Sequence, residues 1–398
     1  MPQIQTIAAE KVLGFRGQET IEVTVTDECG LAGEFRVPFG KSEGMFEAMY
    51  VAPDQAVKIC NETLNQLLHG FDPENQRVLD NTMIQADATP QKKNFGGNAI
   101  LGISIACSRL AAREQGIALY QHLGNIINKR VSTHGPFPRM LYNLVEGGVH
   151  AQNNLAFQEH LIIPKVNSLN QQIEILKSFS QAFMQYAKTL GWNKAYGYEG
   201  GWAGNITKDG VILFGQDAEY AVFEALDAVR TQNDFPVDFG LDVAANNIAK
   251  FEPSSYCDFY VKCAKDFPIT YLEDGFAEQE QDEWWKMLYG KIHHTTLMVG
   301  DDLTVTNPRK MDAYIGKNMI NAIIIKPDQV GTLSETFDAI EKAKQNNWRV
   351  IISHRSQETT DDYLADLAVA VKADFVKFGA FAQGERLAKY NRLLEIEQ

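Results

Sequence analysis

The chain has 398 residues, 45% of them hydrophobic, enough for one large core and a smaller second unit. Acids outnumber bases 51 to 37, a formal net charge of -14, which argues against nucleic-acid or membrane-surface binding but suits a small anionic ligand held by metal ions. No apolar run reaches about 18 residues and no basic-then-apolar leader is present, so neither a transmembrane helix nor a signal peptide is expected. The five scattered cysteines (Cys29, Cys60, Cys107, Cys257, Cys263) form no CxxC pair and suit a reducing, cytoplasmic setting.

Residues 4–39 alternate as strands do, Thr20-Ile-Glu-Val-Thr-Val-Thr26 most clearly, with turns expected at Cys29-Gly30 and Ala32-Gly33. A three-stranded antiparallel meander is predicted. It runs into Pro38-Phe-Gly-Lys-Ser-Glu-Gly44, whose glycines and small polar residues predict a loop able to close over a ligand. Helices are predicted over 54–69 and 98–115, the second opening after Gly96-Gly97 and carrying small residues suited to close packing. Together these make an α+β domain over 1–130, with Pro136-Phe-Pro138 as the linker into a second domain over 137–398.

The second domain begins with Asn143-Leu-Val-Glu-Gly-Gly-Val-His150, Phe157-Gln-Glu-His-Leu-Ile-Ile-Pro164 and Tyr196-Gly-Tyr-Glu-Gly-Gly-Trp202, in which Glu159 and Glu199 are the notable carboxylates. Then come six strand-like runs ending on Asp242, Glu273, Asp301, Lys326, His354 and Lys377. The clearest is Asn321-Ala-Ile-Ile-Ile-Lys-Pro-Asp328: a β-branched run typical of a strand buried on both faces, stopped by a proline that cannot continue a ladder. The terminal residues recur at intervals of about 23–31, each long enough for one strand, one helix and their turns. Such units close into a (β/α) barrel whose active site lies where the C-terminal strand ends meet. Three acids, two lysines and a histidine then converge on one mouth.

With these residues in view, the sequence resembles the enolase (phosphopyruvate hydratase) family over essentially its whole length. The resemblance rests on Gly97-Asn-Ala-Ile-Leu-Gly102, Phe157-Gln-Glu159, Gly300-Asp-Asp-Leu-Thr-Val-Thr-Asn-Pro308, Ile325-Lys-Pro-Asp-Gln-Val-Gly-Thr332, Ser353-His-Arg-Ser356 and Glu385-Arg-Leu-Ala-Lys-Tyr-Asn391, in the family's order. It implies an enolase-type (β/α)8-like barrel, a likeness that also assigns roles. Asp242, Glu273 and Asp301 would hold a structural Mg²⁺, and Ser42, in the first loop, a second Mg²⁺ when substrate is bound. Lys326 would be the base at C2, and Glu199, supported by Glu159, the acid at the leaving 3-hydroxyl. His150 and His354 would line the hydroxymethyl end, Arg355 and Ser356 the phosphate and Lys377 the carboxylate, with Gln158 supporting the metal and acid side.

The resemblance implies a Mg²⁺-dependent lyase interconverting 2-phosphoglycerate and phosphoenolpyruvate, cytoplasmic, acting as a homodimer or higher homo-oligomer with no nucleic-acid or membrane partner. The chain also departs from the family pattern. Lys41 and Glu43 are new charges in the first loop, Gly14-Phe-Arg-Gly17 and Gln357 are altered, and Phe381-Ala-Gln-Gly384 replaces the usual Pro-x-Arg-Ser. Tyr198 stands where an acid precedes the proton donor, and the stretch between Asn247 and Tyr271 is short. Two alternatives therefore stand beside the first reading: a paralogue acting on a related phosphate or phosphonate acid, and a non-catalytic enolase-like scaffold.

Overall fold

The computed structural model of the chain describes residues 2–40, 46–127 and 136–398. Lys41, Ser42 and Glu43 lie outside the described residues. The meander forms as expected: strands Ile4–Leu13, Glu19–Asp27 and Ala32–Arg36 pair antiparallel in chain order. Cys29-Gly30 does turn the chain, with Gly30 at φ 83°. Ala32-Gly33 does not turn it, because both residues lie in the third strand. Gly33 is there for packing, since a Cβ on it would run into the carbonyl oxygen of Ala106 on the helix Gly97–Glu114. That helix is buried almost all round, as its small residues predict. The other predicted helix runs through Pro53–Lys58, Ile59–Leu64 and Asn65–Leu68, its middle turn π-helical. Helices Gln76–Asp87 and Leu119–Ile126 add to those the sequence predicts.

The barrel begins directly after Pro138. The pair Arg139–Met140 adds to Phe375–Lys377, and after Leu141 the same stretch continues as Tyr142–Glu146 and pairs with Glu159–Pro164, so the ladder returns on itself. From Val237–Asp242 through Ile269–Glu273, Leu297–Gly300, Ala322–Ile325 and Arg349–Ser353 to Phe375–Lys377 every pairing is parallel. The second strand departs from uniform βα alternation: Glu159–Pro164 is antiparallel to both Tyr142–Glu146 and Val237–Asp242. The segment joining it to the first strand, residues 147–158, holds only the short 3-10 turn Gly148–His150 and no crossover helix, and the chain turns back on itself.

Side chains alternate along a strand, and that alternation aims the site. Leu161, Tyr271, Val299, Ala322, Ile324 and Phe375 belong to a core cluster inside the barrel. Two residues on from Tyr271, Val299, Ile324 and Phe375, and two before Leu161, the same inward phase carries Glu273, Asp301, Lys326, Lys377 and Glu159 to one rim. Gly240 keeps Asp242 in this set, because a Cβ there would press on Tyr271 and Leu161. Ile323 and Ile325 face the other way, into the core between barrel and helices.

Candidate active site

A cavity of about 260 Å³ opens at this rim. It is lined by His150, Gln158, Glu159, Glu199, Asp242, Asp301, Lys326, His354, Arg355, Ser356 and Lys377 among others, so the strand-end residues singled out from sequence do meet. Glu273 lies just beneath, buried, and Ser42 lies outside the described residues.

Lys377 is the hub of the acidic side. Its Nζ stands 2.7 Å from Asp242 Oδ2, 3.0 Å from Glu273 Oε2 and 3.0 Å from Glu159 Oε2, all four side chains buried. Burial alone would lower the ammonium's pKa, but three carboxylates hold it well above the usual lysine range. Gln158 Nε2 donates to Asp242 Oδ2 at 3.0 Å. Lys326 pairs with Asp301, whose other oxygen accepts from Gln329 Nε2 at 3.2 Å. Asp301 keeps Lys326 charged, against burial and the nearby Arg355 and Lys377.

Asp242, Glu273 and Asp301 end three neighbouring strands and supply only hard carboxylate oxygens. Burial first, then the charges of Asp242 and Asp301, push Glu273 up to about 8. Buried carboxylates that repel one another in this way fit a divalent cation, and these three could hold it, as could Asp274, Asp301 and Asp302, whose oxygens lie within 4.8 Å of one another. Asp274 is not singled out by the sequence. At φ 42° it accepts the backbone N–H groups of Asp301 at 3.0 Å and Asp302 at 2.8 Å, fixing the turn that presents Asp301.

Next to Glu159, Glu199 Oε2 lies 3.0 Å from His354 Nε2 and 3.3 Å from Asn143 Nδ2, while His150 Nδ1 is 3.7 Å from Glu199 Oε1 and from Glu159 Oε1. Burial pushes Glu159 well above the carboxylate range, and the charge of Glu199 adds to it. Glu199 is held well below that range: burial opposes its charge, but His354, His150 and Arg386 outweigh burial. The two acids thus share their proton unequally, Glu159 holding it and Glu199 carrying the charge.

Arg355 also lines the cavity. Its Nε is 3.1 Å from Asp328 Oδ2 and its Nη2 3.1 Å from Glu47 Oε2, so the meander domain reaches into the barrel's site. Phe39 and Gln357 exchange backbone hydrogen bonds of 3.1 and 3.2 Å, anchoring the start of the first loop beside Arg355. Tyr198 does not line the cavity but stacks under Arg16, whose guanidinium lies 4.4 Å from its ring centroid. Glu47, Asn143, Glu146, Asp274 and Arg386 carry no sign in the sequence of what they do here. Of these, Arg386 alone belongs to one of the family motifs that define a role-free match, Glu385-Arg-Leu-Ala-Lys-Tyr-Asn391.

No helix among the described residues is long and apolar enough to cross a membrane. The family model for the enolase N-terminal domain matches residues 4–123, and that for the enolase C-terminal TIM barrel domain matches residues 133–398. The enolase of Ehrlichia ruminantium (strain Welgevonden) is 37% identical over 420 aligned positions, covering 100% of this chain and 96% of that protein. Two family domains in order and 37% identity to an enolase over the whole chain lead to one conclusion: the chain belongs to the enolase family and is an enzyme of the phosphopyruvate hydratase class.

Proposed function

We propose that this enzyme interconverts 2-phosphoglycerate and phosphoenolpyruvate plus water, with Mg²⁺ as its cofactor. The observation that carries the proposal is that Lys326 and the Glu159–Glu199 pair line one small cavity together with the cations Lys377 and Arg355. A base on one face and an acid on the other is what elimination of water from a 2-substituted 3-hydroxy acid requires.

In the forward direction the carboxylate of 2-phosphoglycerate lies toward Lys377 and its phosphate toward Arg355 and Ser356. Lys326, once it has shed its proton, takes the C2 proton on Nζ. The C–H electron pair moves into the carboxylate, giving a dianionic aci-form that Lys377 faces. Those electrons return to make the C2=C3 bond as the C3–O bond breaks, and the Glu159–Glu199 pair gives the departing hydroxyl its proton. His150 and His354 line that end and hold Glu199 in place. Asp242, Glu273 and Asp301 would hold Mg²⁺, which would supply positive charge to the substrate's carboxylate end, a pattern for which enolase-superfamily sites are the known instance.

A homo-oligomer in the cytoplasm belongs to the same proposal. A changed substrate gains nothing from Tyr198, which stacks on Arg16 instead of lining the cavity. The test is the rise in absorbance from enol phosphate when purified protein meets 2-phosphoglycerate and Mg²⁺. Turnover is expected, and no turnover at any Mg²⁺ concentration would sink the proposal.

A further inference from the structure

Glu146 lies outside the set of residues carried over from the family, and it is fully buried at the end of the strand Tyr142–Glu146. Its Oε2 accepts the backbone N–H of Glu199 at 3.0 Å, and its Oε1 accepts that of Gly201. The same strand holds the next residue by backbone alone: Glu146 N–H donates to Trp202 O at 2.8 Å and Trp202 N–H to Leu144 O at 2.7 Å. Gly197 and Gly201 make room for this carboxyl, because a Cβ on either would run into it. A carboxylate has two acceptor oxygens and no donor, so it suits two converging N–H groups where an amide would turn its NH₂ on one of them.

We infer that Glu146 is a positioning residue for the dehydration step: it clamps the 197–201 loop so that Glu199 faces the cavity, and its charge bears on how firmly the Glu159–Glu199 pair keeps its proton. The inference rests on the proposed reaction. Burial first, then the charge of Glu199, pushes Glu146 up to about 8, while its two backbone donors and Arg386 pull it down. Glu199 from the loop, Arg386 from the helix Gly384–Glu397 and Tyr142 from its own strand are the titratable groups that bear on it. Charge on either buried acid raises the proton affinity of the other.

Glu146→Gln keeps the size of the side chain and removes its charge and one acceptor. With 2-phosphoglycerate and Mg²⁺, kcat for dehydration should fall on the order of 10²-fold, as for a misplaced catalytic group, with KM little changed. The Glu159–Glu199 pair should lose its proton at lower pH, so the alkaline limb of the dehydration profile should move down, while exchange of the C2 proton with solvent persists. Glu146→Asp keeps the charge on a shorter arm and should lose kcat with the limb where the wild type has it. Parallel loss of dehydration and exchange with an unmoved limb in the Gln variant would reduce Glu146 to a structural part, and wild-type kinetics in that variant would remove it altogether. Should the Gln variant not fold, ¹³C-glutamate NMR of the unmodified protein decides the matter. Two glutamate carboxyls, those of Glu146 and Glu273, should titrate near pH 8, and one of the two signals should be missing from Glu146→Asp; both remaining there would overturn the inference. An inactive wild type would count against the proposed reaction, and the NMR titration would then judge the clamp alone.

Discussion

Arg386 Nη1 lies 2.7 Å from His354 Nδ1, and this contact fixes the tautomer of the imidazole. A guanidinium has no lone pair to offer, so Nδ1 must accept and the ring proton must sit on Nε2, aimed at Glu199 Oε2 3.0 Å away. Arg386 also donates to the carbonyl oxygens of Arg355 at 2.6 Å and Ser356 at 3.0 Å, so one buried side chain orients three consecutive residues of the site.

The same contact makes stability depend on pH. Burial, assisted by Arg386, pushes His354 down to about 4. Its folded pKa is thus below the unfolded value near 6.5, so the unfolded chain binds the proton first, and stability present above about pH 6.5 is lost as pH falls toward 4. His354→Gln should abolish this part of the loss, roughly 3 kcal/mol for a fully buried ring. Thermal melts of wild type and variant across that range check it. Parallel curves would show that His354 takes up its proton as readily in the folded protein as in the unfolded chain.

Lys377→Met should leave Asp242, Glu273 and Glu159 buried without their shared cation. Removing one partner of such a cluster costs about 3–5 kcal/mol. Mg²⁺ should return a large part of it, because two of these acids belong to the proposed ion site. Melting with EDTA and then with Mg²⁺ should show a larger Mg²⁺-dependent gain in the variant than in the wild type. An equal gain in both proteins would separate the ion from these carboxylates.

Gly40→Ala should act on phosphate binding. A Cβ at Gly40 would land on Arg355 Nη2, and Arg355 has little freedom to give way, being held by Asp328 and Glu47. KM for 2-phosphoglycerate should rise about tenfold or more, with kcat less affected, as expected when ground-state and transition-state binding are lost together. A change confined to kcat would place Arg355 elsewhere in the reaction.

The rim is legible in the sequence because strand periodicity and chemistry coincide there. Ala322-Ile-Ile-Ile325 has the make-up of a strand buried on both faces, and Lys326, in phase with Ala322 and Ile324, has to face the barrel's interior. The reversed second strand is not legible, since Tyr142–Glu146 and Glu159–Pro164 are wholly buried and nothing in an all-buried strand reports its direction. Gly33 suggests a turn because a glycine that admits a helix looks, in sequence, like one that bends a chain. Arg386 and Glu146 are hidden for another reason. An arginine on an amphipathic terminal helix and a glutamate before two glycines look solvated until packing buries them. The adjacency of Tyr198 and Glu199 in the chain also misleads, because their side chains part, one toward Arg16 and the other toward His354.

The most direct measurement compares exchange of the C2 proton with net dehydration in Lys326→Ala and Glu199→Gln, because the proposed reaction sets the two residues at different bonds of one substrate. Loss of a general acid or base costs about 10²- to 10⁴-fold. Lys326→Ala should lose exchange and dehydration together, since no carbanion forms. Glu199→Gln should lose dehydration yet keep measurable exchange, because Lys326 can still remove the C2 proton and return it. Equal loss of both activities in both variants would contradict the division of labour between Lys326 and Glu199.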